Sequence, residues 1–337
     1  MQTSDLRQRV QATLIDFVWS QWVQMGVSGS TVRRDRWAAD PEALLLFTVH
    51  AARRDPRLFD EVLDWLRLNG KLLSVQRLRN LAEADDETPR LIGAALAWAR
   101  SQNPTLRSRL PIDEAASAGE PKDLFLADGE ALLAGTPDPI FLRFGYRRPR
   151  AKPSWKSQAP NPLAPINLAF RLRLAFGVGS RSEVLRYLLT TEHPEASTQQ
   201  IAEATAFAKR NVSDILLGLA DAGVVETRQR TNERVYWADR RRWAFLLGVG
   251  IRELPDFVDW IRLLTAIRIV LAWLDEDAKV ERSDYLRSSE ARRLLDRIRP
   301  DLLASGVDVA DDRSVGTEHW TALEETLERT LRKLRPL

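Results

Sequence analysis

Apolar positions recur every three or four residues over much of the chain, the spacing of helices that bury one face. From Asp5 to about Gln24 the stripe is Leu6, Val10, Leu14, Phe17, Val18 and Trp22. Asp40-Pro41 and Asp55-Pro56 each set a capping carboxylate before a proline at the first helical position. Two helices are predicted there, the second stopped by a left-handed Gly70. Ser74 to Glu83 and Pro89 to Arg100 complete a helical N-terminal domain, residues 1–103. Trp19, Trp22, Trp37, Trp65 and Trp98 lie at helical spacing beside Leu and Val, so core packing is expected for them over stacking on bases. His50 has no second His or carboxylate at i+4 and reads as a packing or capping residue.

Periodicity fades after Ser101 and prolines crowd the stretch from Pro104 to Pro165, which predicts a linker or irregular segment over 104–165. Its charge is segregated. Pro111 to Asp138 holds seven acids and one Lys, whereas Pro139 to Ser182 holds nine bases and no acid. Those bases are Arg143, Arg147, Arg148, Arg150, Lys152, Lys156, Arg171, Arg173 and Arg181, interleaved with Phe141, Phe144, Tyr146 and Trp155. Such a segment could follow a phosphate backbone, releasing counterions while aromatic faces meet sugar or base. It could also be a solvated tether, or pair with the acidic stretch before it. Arg143, Arg147, Arg148, Arg150 and Lys152 are its candidate backbone contacts.

Beyond it, over 166–245, the pattern changes. Ser180-x-x-Glu183 is a capping box opening a helix through Thr191, with Val184, Leu185, Leu188 and Leu189 buried. Ser197-x-x-Gln200 repeats the device for a helix ending near Thr205. A turn at Ala206 to Ala208 leads into a third helix, Lys209 to Ala222, with Val212, Ile215, Leu216 and Leu219 inward and Gly223 as its stop. Val224 to Thr227 and Arg234 to Ala238 then alternate as strands about a polar tip, Gln229 to Glu233.

The order of elements, carried by QQIAEAT, KRNVSDIL and LADAGVVE, resembles winged helix-turn-helix bacterial transcription regulators of the MarR and ArsR type over about residues 181–239. The resemblance implies that the third helix enters the major groove and that the hairpin, as a wing, grips the flanking backbone. Helical geometry turns Arg210, Ser213, Asp214 and Leu217 outward, with Lys209 and Asn211 beside them at the N-terminal end. These six are the candidates for base readout: Arg210 for guanine, Asn211 for adenine, Asp214 for a cytosine amine and Leu217 for a thymine methyl. Arg228, Arg230 and Arg234 are the candidate phosphate contacts of the wing. Two positions depart from the pattern. Ala206 stands where Gly is usual and Ala208 where Ser or Thr caps, each forgoing about 1 kcal/mol. Asp239 can cap a short helix and aim Arg240, Arg241 and Arg242 towards the wing, although these three could equally be a solvated face.

The C-terminal domain, 246–337, is read as a long helix from Leu254 to Leu274 and two more, Ser283 to Arg299 and Glu318 to Leu334. The first is apolar enough to need burial on more than one side, in a dimer interface or within the subunit. The fold class expected is mainly α: a helical N-terminal domain, a central winged helix-turn-helix with a small β-hairpin, and a helical C-terminal domain.

Composition adds limits. With 44% hydrophobic and 29% charged residues over 337, the chain is ordinary globular protein of two or three domains. A net charge of +3 says little about partners. The absence of Cys excludes a disulfide framework and thiolate metal sites, and fits a reducing compartment. The N-terminus MQTSDLRQRVQ lacks the apolar core of a signal peptide, and no stretch approaches the ~18 apolar residues of a membrane span. A cytoplasmic protein without membrane contact is expected. The imidazoles are His50, His193 and His319, no HExxH, GxSxG or Walker loop is present, and Gly177-Val178-Gly179 reads as a hinge. No enzyme activity, cofactor or metal is therefore expected. The resemblance points to a repressor bound as a homodimer to double-stranded DNA. The alternative is an antitoxin-like or scaffold protein of a toxin or defence operon, whose flanking helical domains bind a protein partner.

Overall fold

The structure is a computed structural model that describes residues 3–30, 36–82, 87–107, 120–127, 130–132, 134–231, 233–277, 283–310 and 318–335. These residues are mainly helical with small sheets. They fall into two compact units, 1–20 with 258–337, and 21–257. Helix α1 (Thr3–Gln24) begins in the first unit and ends in the second.

The larger unit starts with α2 (Pro41–Ala51), α3 (Pro56–Asn69), α4 (Val75–Ala82) and α5 (Glu87–Gln102). The predicted end of α4 at Glu83 lies outside the described residues. Asp40 and Asp55 cap as expected, accepting the backbone N–H of Ala43 and Leu58 at 3.0 Å. Trp22, Trp65 and Trp98 are fully buried, and the first two find acceptors for their indole N–H in Thr48 Oγ1 and the Met25 carbonyl. His50 Nε2 shares a hydrogen bond of 2.7 Å with Thr88 Oγ1. Gly70 is not the left-handed stop expected. Its φ is −55° and a 3-10 turn, Gly70–Leu72, prolongs α3. What the position requires is space, since a Cβ there would lie 3.1 Å from the Leu106 side chain.

The Pro-rich segment is folded against α3. Short strands β1 (Lys122–Asp123), β2 (Leu126–Ala127) and β3 (Glu130–Ala131) precede α6 (Pro139–Arg143) and β4 (Tyr146–Arg147). β1 pairs in parallel with β4, and β2 with β3 in a hairpin. Phe125 and Phe141 set their rings edge-on to Phe59 of α3, at 5.6 and 6.0 Å. Its aromatic residues therefore supply a core that the apolar period could not reveal. Much of the acidic stretch from Pro111 lies outside the described residues.

Next come α7 (Leu168–Phe176), α8 (Ser180–Thr190), β5 (Ala196–Ser197), α9 (Thr198–Thr205), α10 (Lys209–Asp221), β6 (Glu226–Arg230), β7 (Glu233–Trp237) and α11 (Arg240–Leu246). The strands form an antiparallel sheet of order β5-β7-β6, with Arg228 opposite Val235 and Arg230 opposite Glu233. β5 has no sequence signal of its own, being two residues long. Val184, Leu188, Ile201, Val212, Leu216, Val225, Tyr236 and Trp243 share one core. The Ser197–Gln200 capping box forms with both hydrogen bonds. The box expected at Ser180 does not, because Glu183 is fully buried and turned to arginines instead of the backbone.

In the smaller unit, α12 (Trp260–Asp277), α13 (Asp284–Ala304) and α14 (Glu318–Leu334) pack with the first part of α1. Phe17 stacks on Trp260 at 5.4 Å, and Arg9 pairs with Glu328 at 2.7 Å. α12 starts six residues later than read from the apolar run. Asp259 caps it by accepting the N–H of Arg262, whereas the N–H groups of Asp256 and Phe257 bond the carbonyls of Arg36 and Thr190 in the larger unit. Leu263, Leu264, Ala266, Ile267, Val270 and Leu274 are buried inside this unit, the second of the two ways of burying α12.

Candidate nucleic-acid interface

Two side chains of α4 and one of the turn itself fix the turn that precedes α10. Ala206 ends α9 with φ 56° and ψ 41°, the left-handed conformation, costly here because the alanine Cβ crowds the following carbonyl oxygen as a glycine would not. Its carbonyl accepts from Asn80 Nδ2 at 2.8 Å, and the neighbouring Thr205 carbonyl accepts from Arg77 Nε at 2.8 Å. Phe207, one residue on, is buried in the core shared by α8, α9 and α10. Ala208 provides no side-chain cap. The start of α10 is thus positioned by α4 and by Phe207.

Arg77 also belongs to a buried charge network. Asp40, Glu42 and Glu183 face Arg77, Arg173 and Arg186, and all six are nearly without solvent contact. Arg173 bridges Glu42 and Glu183 at 2.7 and 2.6 Å, Arg77 reaches Asp40 and Glu42, and Arg186 holds Glu183 at 2.9 Å. Burial pushes the Asp40 carboxyl up, but the charge and hydrogen bonds of Arg77, with Arg186, outweigh it and leave its pKa below the ordinary value. For Glu183, burial is likewise outweighed by Arg173, Arg186 and Arg77, which hold it well below the carboxylate range. The network joins α2, α4, α7 and α8 and leaves its arginines no part in binding a ligand's charge.

On α10, Lys209, Arg210, Asn211, Asp214 and Leu217 are exposed along one side and Ser213 is half-buried, so the six base-readout candidates share a face. Among the described residues no acid pairs with Lys209 or Arg210. Ser180 Oγ of α8 approaches Asn211 Oδ1 at 3.4 Å. The hairpin differs from expectation: β6 runs on to Arg230 and β7 begins at Glu233, both within the tip read from the sequence, and position 232 lies outside the described residues. Alternation along the strands puts Arg228 and Arg230 on one face and Arg234, opposite Gln229, on the other. Glu195, from the loop before β5, clasps Arg228 and lies 3.4 Å from Arg230. That carboxylate, unremarkable in the sequence, offsets part of the charge expected to grip phosphate.

Asp239 caps α11 by accepting the N–H groups of Arg241 and Arg242, whose side chains are exposed. Trp243 Nε1 donates to the Val224 carbonyl at 3.1 Å and ties α11 to the base of the hairpin. Among the described residues no acid pairs with Arg241 or Arg242.

The basic segment is divided. Arg148 is buried, not exposed to a backbone. Its guanidinium donates to Asp60 at 2.7 Å and to the Pro149 carbonyl, and lies 5.0 Å from the Phe125 ring. Arg173 is consumed by the charge network, and Arg147 stands 3.5 Å from Asp123. Arg143, Arg150, Lys152, Lys156 and Arg181 are exposed. Phe141, Phe144 and Tyr146 are core residues, and Trp155 alone of the interleaved aromatics is exposed. Arg171 donates to the Leu247 carbonyl beside a cavity of about 360 Å³ lined by Leu163, Leu168, Val249 and Leu254.

Among the described residues no group of His, Asp and Glu is arranged to hold a metal ion, and no helix is long and apolar enough to cross a membrane. The chain matches no protein-family model, no curated protein and no solved structure.

Proposed function

We propose that α8, α9 and α10 with the β5-β7-β6 sheet are a winged helix-turn-helix, and that the chain binds double-stranded DNA as a sequence-specific transcriptional regulator. The observation that carries this reading is the outward face of α10, where unpaired Lys209 and Arg210 head a stripe with Asn211, Ser213, Asp214 and Leu217. Such a face presents donors, acceptors and a methyl contact to base edges in a major groove. Arg241 and Arg242, fixed beside the hairpin, would take phosphates together with Arg234 and the solvent-facing parts of Arg228 and Arg230. We propose further that it acts as a repressor in the cytoplasm, two copies meeting the two halves of a palindromic site.

Gel shift and fluorescence anisotropy on the DNA upstream of its own gene test the reading. Arg210→Ala should cost roughly 1–3 kcal/mol and relax preference at one base pair, whereas Arg241→Ala with Arg242→Ala should weaken all sequences alike and flatten the salt slope. Failure to bind that DNA at low salt, or equal loss at every sequence for both variants, would overturn it.

A second reading draws on α11. Phe245 is 88% exposed and Leu246 68%, and Asp214 and Asp221 dilute the charge of α10. Apolar exposure of this size suits a protein contact, so an antitoxin-like or scaffold protein is the competing proposal. Phe245→Ser abolishing capture of an operon partner while DNA binding stays intact would favour it.

A further inference from the structure

Trp155 is held in a way unlike any other tryptophan of the chain. It is 67% exposed, and its φ of 58° is in the left-handed region, which among the described non-glycine residues it shares only with Ala206. A bulky side chain adopts that conformation only where its surroundings impose it. Here the imposing group is the fully buried carboxylate of Asp64 on α3. It accepts from Arg67 Nε at 2.9 Å, from the Ser157 backbone N–H at 3.1 Å and from Ser154 Oγ at 3.2 Å. Ser154 Oγ also lies 2.9 Å from Glu61. The loop is therefore clamped on both sides of residue 155, and the indole is forced outward.

One face of the ring is occupied. The Arg67 guanidinium lies 4.0 Å from its centroid, a cation-π contact that fixes the ring plane and leaves the opposite face to solvent. In the chain Arg150 and Lys152 precede Trp155 and Lys156 follows it; all three are exposed and, among the described residues, paired with no acid. At ~3.3 Å per residue of extended chain each lies within ~17 Å of Trp155 along the backbone. A rigid, half-covered aromatic face in a chain segment that carries unpaired cations before and after it is the combination that receives an anionic polymer of flat bases: a base on the ring, its phosphates on the cations.

We propose that Trp155 is a stacking platform for an unpaired base of single-stranded nucleic acid, with Arg150, Lys152 and Lys156 as its phosphate contacts. The site is separate from α10 and does not depend on duplex recognition there. Anisotropy of fluorescein-labelled (dT)12 with the full chain tests it, using Trp155→Ala, Trp155→Phe and a duplex of the upstream DNA. The expected result is binding of (dT)12 that falls roughly 5- to 150-fold in Trp155→Ala, the range for loss of one base–aromatic stack, and is largely kept in Trp155→Phe. Duplex affinity and melting temperature should stay close to those of the wild type, and Arg210→Ala should leave (dT)12 binding intact. No (dT)12 binding at low salt, equal affinity of wild type and Trp155→Ala, or a fall matched by the duplex would each overturn the proposal. So would a Trp155→Ala variant that loses only a protein partner.

Discussion

Replacing Arg77 with Met tests whether the buried charge network holds the larger unit together. The side chain has no solvent contact, and its five donors serve three acceptors: Asp40, Glu42 at 2.9 Å and the Thr205 carbonyl at 2.8 Å. Methionine keeps the length and apolar volume but removes every donor. The network then holds three carboxylates against Arg173 and Arg186 only, one buried negative charge in excess. Removing one partner of a buried pair costs about 3–5 kcal/mol. In a unit of this size each kcal/mol moves the melting temperature by roughly 2–4 °C, so a fall of roughly 6–20 °C is expected. Urea and thermal unfolding followed by circular dichroism at pH 7 measure it. A second substitution sharpens the test. Asp40→Asn restores neutrality and keeps the oxygen that caps α2, so Arg77→Met with Asp40→Asn should recover about 1 kcal/mol or more over Arg77→Met alone. A single variant costing less than about 1 kcal/mol, or two losses that simply add, would refute the reasoning.

Three further expectations rest on single sites. Asp40 and Glu183 have pKa values lowered from ordinary values of 3.8 and 4.5, so the stability they contribute is present above those values and is lost as pH falls through the folded-state ones. Acid unfolding should take up the corresponding protons, and Glu183→Gln should flatten the stability profile below about pH 4.5, as urea titration from pH 7 to pH 2 can show. Ala206→Gly relieves a left-handed residue at the end of α9 and should stabilise by about 1 kcal/mol, with no fall in duplex affinity. Arg148→Ala should destabilise by about 1–2 kcal/mol by removing a charged hydrogen bond to Asp60, whose carboxylate is part-exposed and keeps some solvation, yet leave the salt dependence of DNA binding unchanged. A changed salt slope with unchanged stability would return Arg148 to the backbone contacts.

Helices with a regular stripe and a cap were legible in the sequence, as Asp40-Pro41, Asp55-Pro56 and the Ser197–Gln200 box show. What misled was chemistry that local pattern cannot place. Glu183 has the spacing of a capping residue but is drawn inward by Arg173 and Arg186, a pairing that depends on α7 lying beside α8. The Leu254 run is apolar enough for helix, but Pro255 and the hydrogen bonds of residues 256 and 257 keep it extended until Asp259. The Pro-rich segment shows no period because its apolar residues meet α3 from separate short pieces, Phe125 from a bend between β1 and β2 and Phe141 from the five-residue α6, not from one long helix face. On α10 the outward face followed directly from the inward stripe of Val212, Leu216 and Leu219. The role of Glu195 depended on β5, too short to announce itself.

The same division changes where affinity for a phosphate backbone can come from. Nine bases and no acid between Pro139 and Ser182 suggest one continuous basic track, but tertiary structure spends its charge unevenly. Arg148 and Arg173 are buried against Asp60, Glu42 and Glu183, and Arg147 faces Asp123, so these three release few counterions on binding anything. Among the described residues, cations with no acid partner stand in separate places along the chain, among them Lys209 and Arg210 on α10, Arg241 and Arg242 on α11, and Arg150, Lys152 and Lys156 on either side of Trp155 in the sequence. If the first two sets act on duplex and the third on an unpaired strand, each should carry its own salt slope. Neutralising Arg241 and Arg242 should lower the slope for duplex by about 2 and leave that for (dT)12 unchanged, while Lys152→Ala with Lys156→Ala should do the reverse. A single slope that falls equally for both ligands in both variants would show one shared track, and the separation of the two sites would be wrong.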